Sequence, residues 1–182
     1  KTKLIGNHFI SNITGAIALA KINGISIEQS LNSIEHFVGV KRRTEFIGKF
    51  NGVNFYDDYG HHPTEIKATT KALKENTVGN LIVIFQPHRF TRTRDHFDDL
   101  KNSFNYSDLT LITDIYSAGE KPIPGISSLL FEGEGIKYIK SPRLVPHYVK
   151  TNIKSGDTVL TIGAGDITLL GPQILKYLNE NK

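Results

Sequence analysis

The stretch "NLIVIFQ" (residues 80–86) decides the fold, because five consecutive apolar side chains, Leu81 to Phe85, stand between Asn80 and Gln86. A bounded apolar run of this length reads as a strand buried on both faces, which is characteristic of parallel sheets. The flanking segments agree. Pro63 suits the first position of a helix reaching about Glu75, and a second helix is expected around 94–104. Further strands are expected at "LTLITDIY" (109–116), "IKYIK" (136–140) and "DTVLTIGAG" (157–165), with helices at 143–153 and over the terminal "DITLLGPQILKYLNE". Strands alternating with helices predict an α/β fold: an open, mostly parallel sheet with helices on both faces.

Upstream of this core the texture differs. "RTEFIGKFNGVNFYDD" holds two β-type runs around Asn51-Gly52, a strong hairpin signal. "NHFISNITGAIALAKI" (7–22) carries small and apolar side chains at helical spacing and stops before Asn23-Gly24. "SIEQSLNSIEHF" (26–37) predicts a second helix, with Ser26 as N-cap, Gln29 at the capping-box position and Ile27, Leu31 and Ile34 on one face. "VGVKRR" reads as a connector.

Composition bounds the function. At 182 residues the chain holds one ordinary domain, or one domain plus part of another. No apolar run approaches the roughly 18 residues of a membrane helix and no secretory signal is present, so no membrane partner is expected. Zero cysteines exclude a disulfide framework, a thiolate zinc site and a cysteine nucleophile, and fit the cytoplasm. The chain also lacks methionine and starts at Lys1, which predicts a piece of a longer protein; the intact mass of the natural protein tests this. The net charge is +4, with basic clusters at "VKRR" (40–43) and "HRFTRTR" (88–94). Neither interleaves with stacking aromatics along a face, so nucleic acid is not an expected partner.

The unusual residues follow the strands. "DDYGHHP" follows "VNFY", "QPHRFTRT" follows "LIVIF", "TDIYSAGEKPIPG" follows "LTLI", and "GAGD" follows "TVLTI". Ligands of open α/β sheets sit beyond the carboxyl ends of strands, so these four segments are expected to build one cleft. Arg89 and Arg92, three apart, are suited to converge on one carboxylate or phosphate, with His88 as a further donor. In "DDYGHHP", metal binding is disfavoured because adjacent histidines on a loop point apart. A polar residue there serves equally well as the N-cap before Pro63, and an aspartate at a strand end suits ribose hydroxyls. "GAGD" lacks the third glycine of a dinucleotide fingerprint and suits a tight strand-to-helix turn. Glu120 reads either as a binding carboxylate or as a solvated one. No G-x-x-x-x-G-K-[ST] phosphate loop is present.

Together "GVKRR", "DDYGHHPTEI", "VIFQPHRFTRTRDHF", "TDIYSAGEKPIPGIS" and "LTIGAGDI" resemble the C-terminal part of the Mur ligases of bacterial peptidoglycan synthesis, in the branch that adds L-alanine to UDP-N-acetylmuramate. The resemblance spans nearly the whole chain, with the five motifs in order. It implies that residues 1–38 end a central ATP-binding domain and residues 39–182 form a Rossmann-like C-terminal domain. It further implies a cytoplasmic ATP-dependent ligase acting through an acyl phosphate, here incomplete and inactive alone, with magnesium ligands outside this chain. Residue by residue, His8, Asn12, Arg43 and Asp58 match ATP contacts, while Tyr59, His61, His88, Arg89 and Arg92 match the L-alanine pocket. Phe9 departs from the family, which commonly has asparagine after that histidine. The competing reading is a non-catalytic anion- or nucleotide-binding α/β module.

Overall fold

The computed structural model describes residue 2 and residues 4–181. Two helices lead: α1, Asn7–Ile22, and α2, Ile27–His36. The expected capping box of α2 is formed, with the Gln29 N–H donating to Ser26 Oγ and the Ser26 N–H to Gln29 Oε1, each at 3.1 Å. Neither helix reaches the core. Ile10, Leu19, Ile22, Ile27 and Leu31 all stay exposed. Among the described residues no helix is long and apolar enough to cross a membrane.

The hairpin follows, β1 (Glu45–Phe50) antiparallel to β2 (Val53–Asp58). Asn51 and Gly52 both take positive φ, as the tight turn between twisted strands requires. Then come α3 (Pro63–Lys74), β3 (Leu81–Phe85), α4 (Phe90–Asp95), α5 (Phe97–Lys101), β4 (Leu109–Ile112), β5 (Ile136–Tyr138), α6 (Val145–Asn152), β6 (Thr158–Ile162) and α7 (Leu170–Glu180). The six strands lie in the order β1-β2-β6-β3-β4-β5, parallel except for β1.

Strand periodicity explains why helices cover both faces. Along β3, Ile82 and Ile84 point into a cluster with Val145 and Val149 of α6 and Leu170, Ile174 and Leu178 of α7. Leu81, Val83 and Phe85 point the other way, against Ile66 and Leu73 of α3 and Leu100 and Phe104. All five β3 side chains are buried, which accounts for the unbroken apolar run.

Three expected elements are corrected. The helix placed around 94–104 begins at Phe90 and breaks at His96, where φ is −123°, giving α4, α5 and a short 3₁₀ turn, Asn102–Phe104. The strand placed at 109–116 ends at Ile112, and the chain crosses back so that Tyr116 bridges His88. β6 stops at Ile162 rather than running to residue 165, because Gly163 turns with φ 149° beneath the carbonyl of Gln86.

Candidate functional site

The carboxyl ends of β2, β3 and β6, with the loop after β4, carry the site. Asp58, the last residue of β2, is 3% exposed. Its Oδ2 accepts from the Thr44 N–H at 2.7 Å and the Thr44 hydroxyl at 3.2 Å, and its Oδ1 accepts from the Gly60 N–H at 2.7 Å. The Thr69 hydroxyl lies 3.5 Å from Oδ2 as well, and since a carboxylate offers about four acceptor positions, the further acceptor position is on Oδ1. Burial raises the Asp58 carboxyl above its ordinary range, and the bonds from Gly60 and Thr44 draw it partly back.

Asp58 lines a cavity of about 560 Å³ together with His8, Phe9, Asn12, Arg43, Thr64, Glu65 and Thr69. All four residues expected to contact ATP therefore share one cavity. His8 and Asn12, one helical turn apart on α1, form one wall, and Phe9 packs its ring 4.4 Å from that of His8. Burial lowers the His8 pKa, partly offset by Asp58.

The second cluster adjoins the first. The Tyr59 and His61 rings meet edge-on at 5.2 Å, and the His61 and His88 centroids lie 5.8 Å apart. Arg92 Nη1 is 3.4 Å from His88 Nδ1. The His88 pKa is lowered, first by burial and then by the charges of Arg92, His61 and Arg89. Arg89 takes a left-handed φ of 72°, and its N–H donates to the Tyr116 carbonyl at 2.8 Å. The five residues expected in the L-alanine pocket are thus brought together.

Two side chains join the clusters. Arg43 lies over the Tyr59 ring at 5.6 Å and bonds Glu65 at 3.3 Å. Glu65 in turn accepts from the His61 and His62 N–H groups at 3.1 and 3.2 Å, closing the start of α3. Burial opposes ionisation of Glu65, yet these bonds and Arg43 outweigh it and leave the pKa lowered. The adjacent histidines do point apart: His62 caps α3 and meets the His96 ring at 5.3 Å, while His61 faces His88. Among the described residues, no three His, Asp or Glu side chains are grouped to hold a metal.

Two residues were not anticipated in the site. Arg42 donates to the Gly163 and Gly165 carbonyls at 2.7 and 3.3 Å, approaches Asp57 at 3.6 Å and lies 4.8 Å from the Tyr59 ring centre. Tyr116 stacks on His88 with 5.6 Å between centroids. It also covers Gly165, where an added Cβ would meet Tyr116 Cγ at 2.7 Å and the Gln86 amide closer still.

Residues 42–165 match the family model described as Mur ligase, glutamate ligase domain. The chain belongs to the Mur ligase family. Among Mur ligases it is 38% identical, over 182 residues, to the UDP-N-acetylmuramate–L-alanine ligase of Desulforamulus reducens, covering 96% of this chain and 39% of that protein. It is 44% identical over 170 residues to the enzyme of that name from Chelativorans sp., covering 90% and 37% respectively. The crystal structure of UDP-N-acetylmuramate-alanine ligase from Thermotoga maritima superposes with a TM-score of 0.81 at 23% identity, a likeness of fold, over 100% of this chain and 40% of that one. The chain therefore spans about two fifths of the length of the curated relatives it matches.

Proposed function

We propose that this chain is the amino-acid- and nucleotide-binding part of an ATP-dependent ligase joining L-alanine to UDP-N-acetylmuramate in the bacterial cytoplasm. The observation carrying this reading is adjacency: Arg43 and Glu65, which line the His8–Asn12–Asp58 cavity, also contact Tyr59 and His61 of the His61–His88–Arg92 cluster. In this reading Arg89 and Arg92 grip the L-alanine carboxylate, where guanidinium geometry favours paired hydrogen bonds. His88 takes the Arg92 guanidinium on Nδ1, which leaves Nε2–H as a further donor to the substrate carboxylate, and Tyr59 and His61 flank it.

Asp58 would hold ribose hydroxyls, His8 and Asn12 the adenine and Arg43 the phosphates. ATP, when bound, supplies the phosphoryl group that activates the muramate carboxylate. Holding the amine beside that carboxylate is the contribution of this chain, and positioning of this kind provides much of a ligase's rate. Residues 1–38 are read as the end of the central ATP-binding domain, in keeping with the exposed apolar faces of α1 and α2, and residues 39–182 as the C-terminal domain. Magnesium and most contacts to UDP-N-acetylmuramate are assigned to the remaining length of the protein. No nucleic-acid or membrane partner belongs to this reading.

The test uses the full-length protein. Arg89→Ala is expected to raise the KM for L-alanine by about 10- to 100-fold, the loss of a charge-assisted hydrogen-bond pair, with a smaller change in the KM for ATP. An unchanged KM would remove Arg89 from the pocket. The 182-residue chain by itself is expected to show no ligase turnover.

A further inference from the structure

Arg89 occupies the N-cap position of α4 but gives the helix no side-chain cap. The carboxylate of Glu120, 29 residues further on, does so instead. Its Oε2 accepts from the Thr91 N–H at 3.0 Å and its Oε1 from the Thr91 hydroxyl at 2.6 Å. The turn that delivers it is tight: Ala118 and Gly119 take φ of 49° and 86°, and the Glu120 N–H returns to the Ser117 carbonyl at 3.0 Å. The start of the same loop holds the other side of Arg89, whose N–H donates to Tyr116. A residue other than glycine at positive φ is held there by its surroundings, and here both clamps come from residues 116–120.

We infer that Glu120 is a positioning residue: by capping α4 through Thr91 it fixes the backbone of Arg89, and so aims the Arg89 and Arg92 guanidinium groups at the substrate carboxylate. The inference rests on reading that cluster as the amino-acid pocket. It carries a second consequence. The Thr91 amide of α4 is already occupied by an internal carboxylate, so a substrate carboxylate is expected to be bound by the arginine side chains and not by that amide. The bonds from Thr91 also hold the Glu120 pKa below its usual range, consistent with a carboxylate that stays ionised as a cap.

The experiment measures kinetics and Thr91 amide hydrogen exchange in the full-length protein. Glu120→Ala is expected to raise the KM for L-alanine about tenfold, leave the KM for ATP unchanged and strip protection from the Thr91 amide. Glu120→Gln keeps an uncharged acceptor and is expected to recover most of the affinity. Thr91→Val, which removes the hydroxyl donor alone, is expected to raise the KM for L-alanine about threefold over the parent with the KM for ATP unchanged; should Glu120→Ala fail to fold, a parental KM for L-alanine in Thr91→Val would overturn the inference. Parental KM with a protected Thr91 amide in Glu120→Ala, or parallel rises in both KM values with a fall in melting temperature, would overturn the inference. If Arg89→Ala leaves the KM for L-alanine unchanged while Thr91 loses protection in Glu120→Ala, the pocket reading has failed and the cap itself stands.

Discussion

At the residue scale, charge balance in the site makes stability depend on pH. The folded state lowers the pKa of His88 below its usual 6.5, so below about that pH the unfolded chain binds more protons. Stability is therefore expected to be full above pH 6.5 and to fall as pH drops toward the folded-state value; His8 adds to this in the same direction. Urea midpoints at about pH 7.5 and 5.5 would show the drop, and His88→Gln should shrink it. Gly165→Ala forces a methyl group against Tyr116 and Gln86, and is expected to destabilise by about 1–3 kcal/mol, read as a lower urea midpoint. The residues that could be read from sequence are those whose chemistry is bunched after strands, such as His61, Arg89 and Arg92. Arg42 escaped because it acts on backbone carbonyls, which carry no sequence signature. Tyr116 lies in the segment expected at the cleft, but the strand reading of 109–116 gave its side chain no role of its own.

At the element scale, α3 ties the two clusters together through its first turn. Glu65→Ala removes the acceptor of the His61 and His62 amides together with the partner of Arg43. The expected result is a loss of about 1–2 kcal/mol and a raised KM for ATP, measured by denaturant unfolding and by kinetics on the full-length protein. The central strands were readable because burial on both faces demands apolar runs such as "LIVIF" and "TVLTI", and the half-buried β1 because of its hairpin turn. Helix boundaries were less so. α4 starts at Phe90 because a distant carboxylate, Glu120, caps it, and no local pattern near residue 90 announces that partner. The capping box of α2 is wholly local, and it was found.

At the scale of the whole molecule, both core clusters are built from residues between Val53 and Leu178, with Ile5 only packing against one from outside. Residues 39–182 alone are therefore expected to unfold in one cooperative transition by calorimetry, close to that of the longer chain. Loss of that transition would reassign α1 and α2 to the same cooperative unit. The fold class was legible because alternation of apolar runs and helical patterns admits few topologies. That the segments after the strands share one edge was legible too, but the strand order, with β6 inserted between β2 and β3, was not. Arg42 gives this arrangement a mechanical consequence. Its guanidinium ties the connector to the tip of β6, so a swing of the two leading helices is expected to be taken up before it, around Gly39, where φ is 105°. In such a swing Arg43 and Asp58 would stay put while His8 and Asn12 moved, so the cavity they share would change along one wall only.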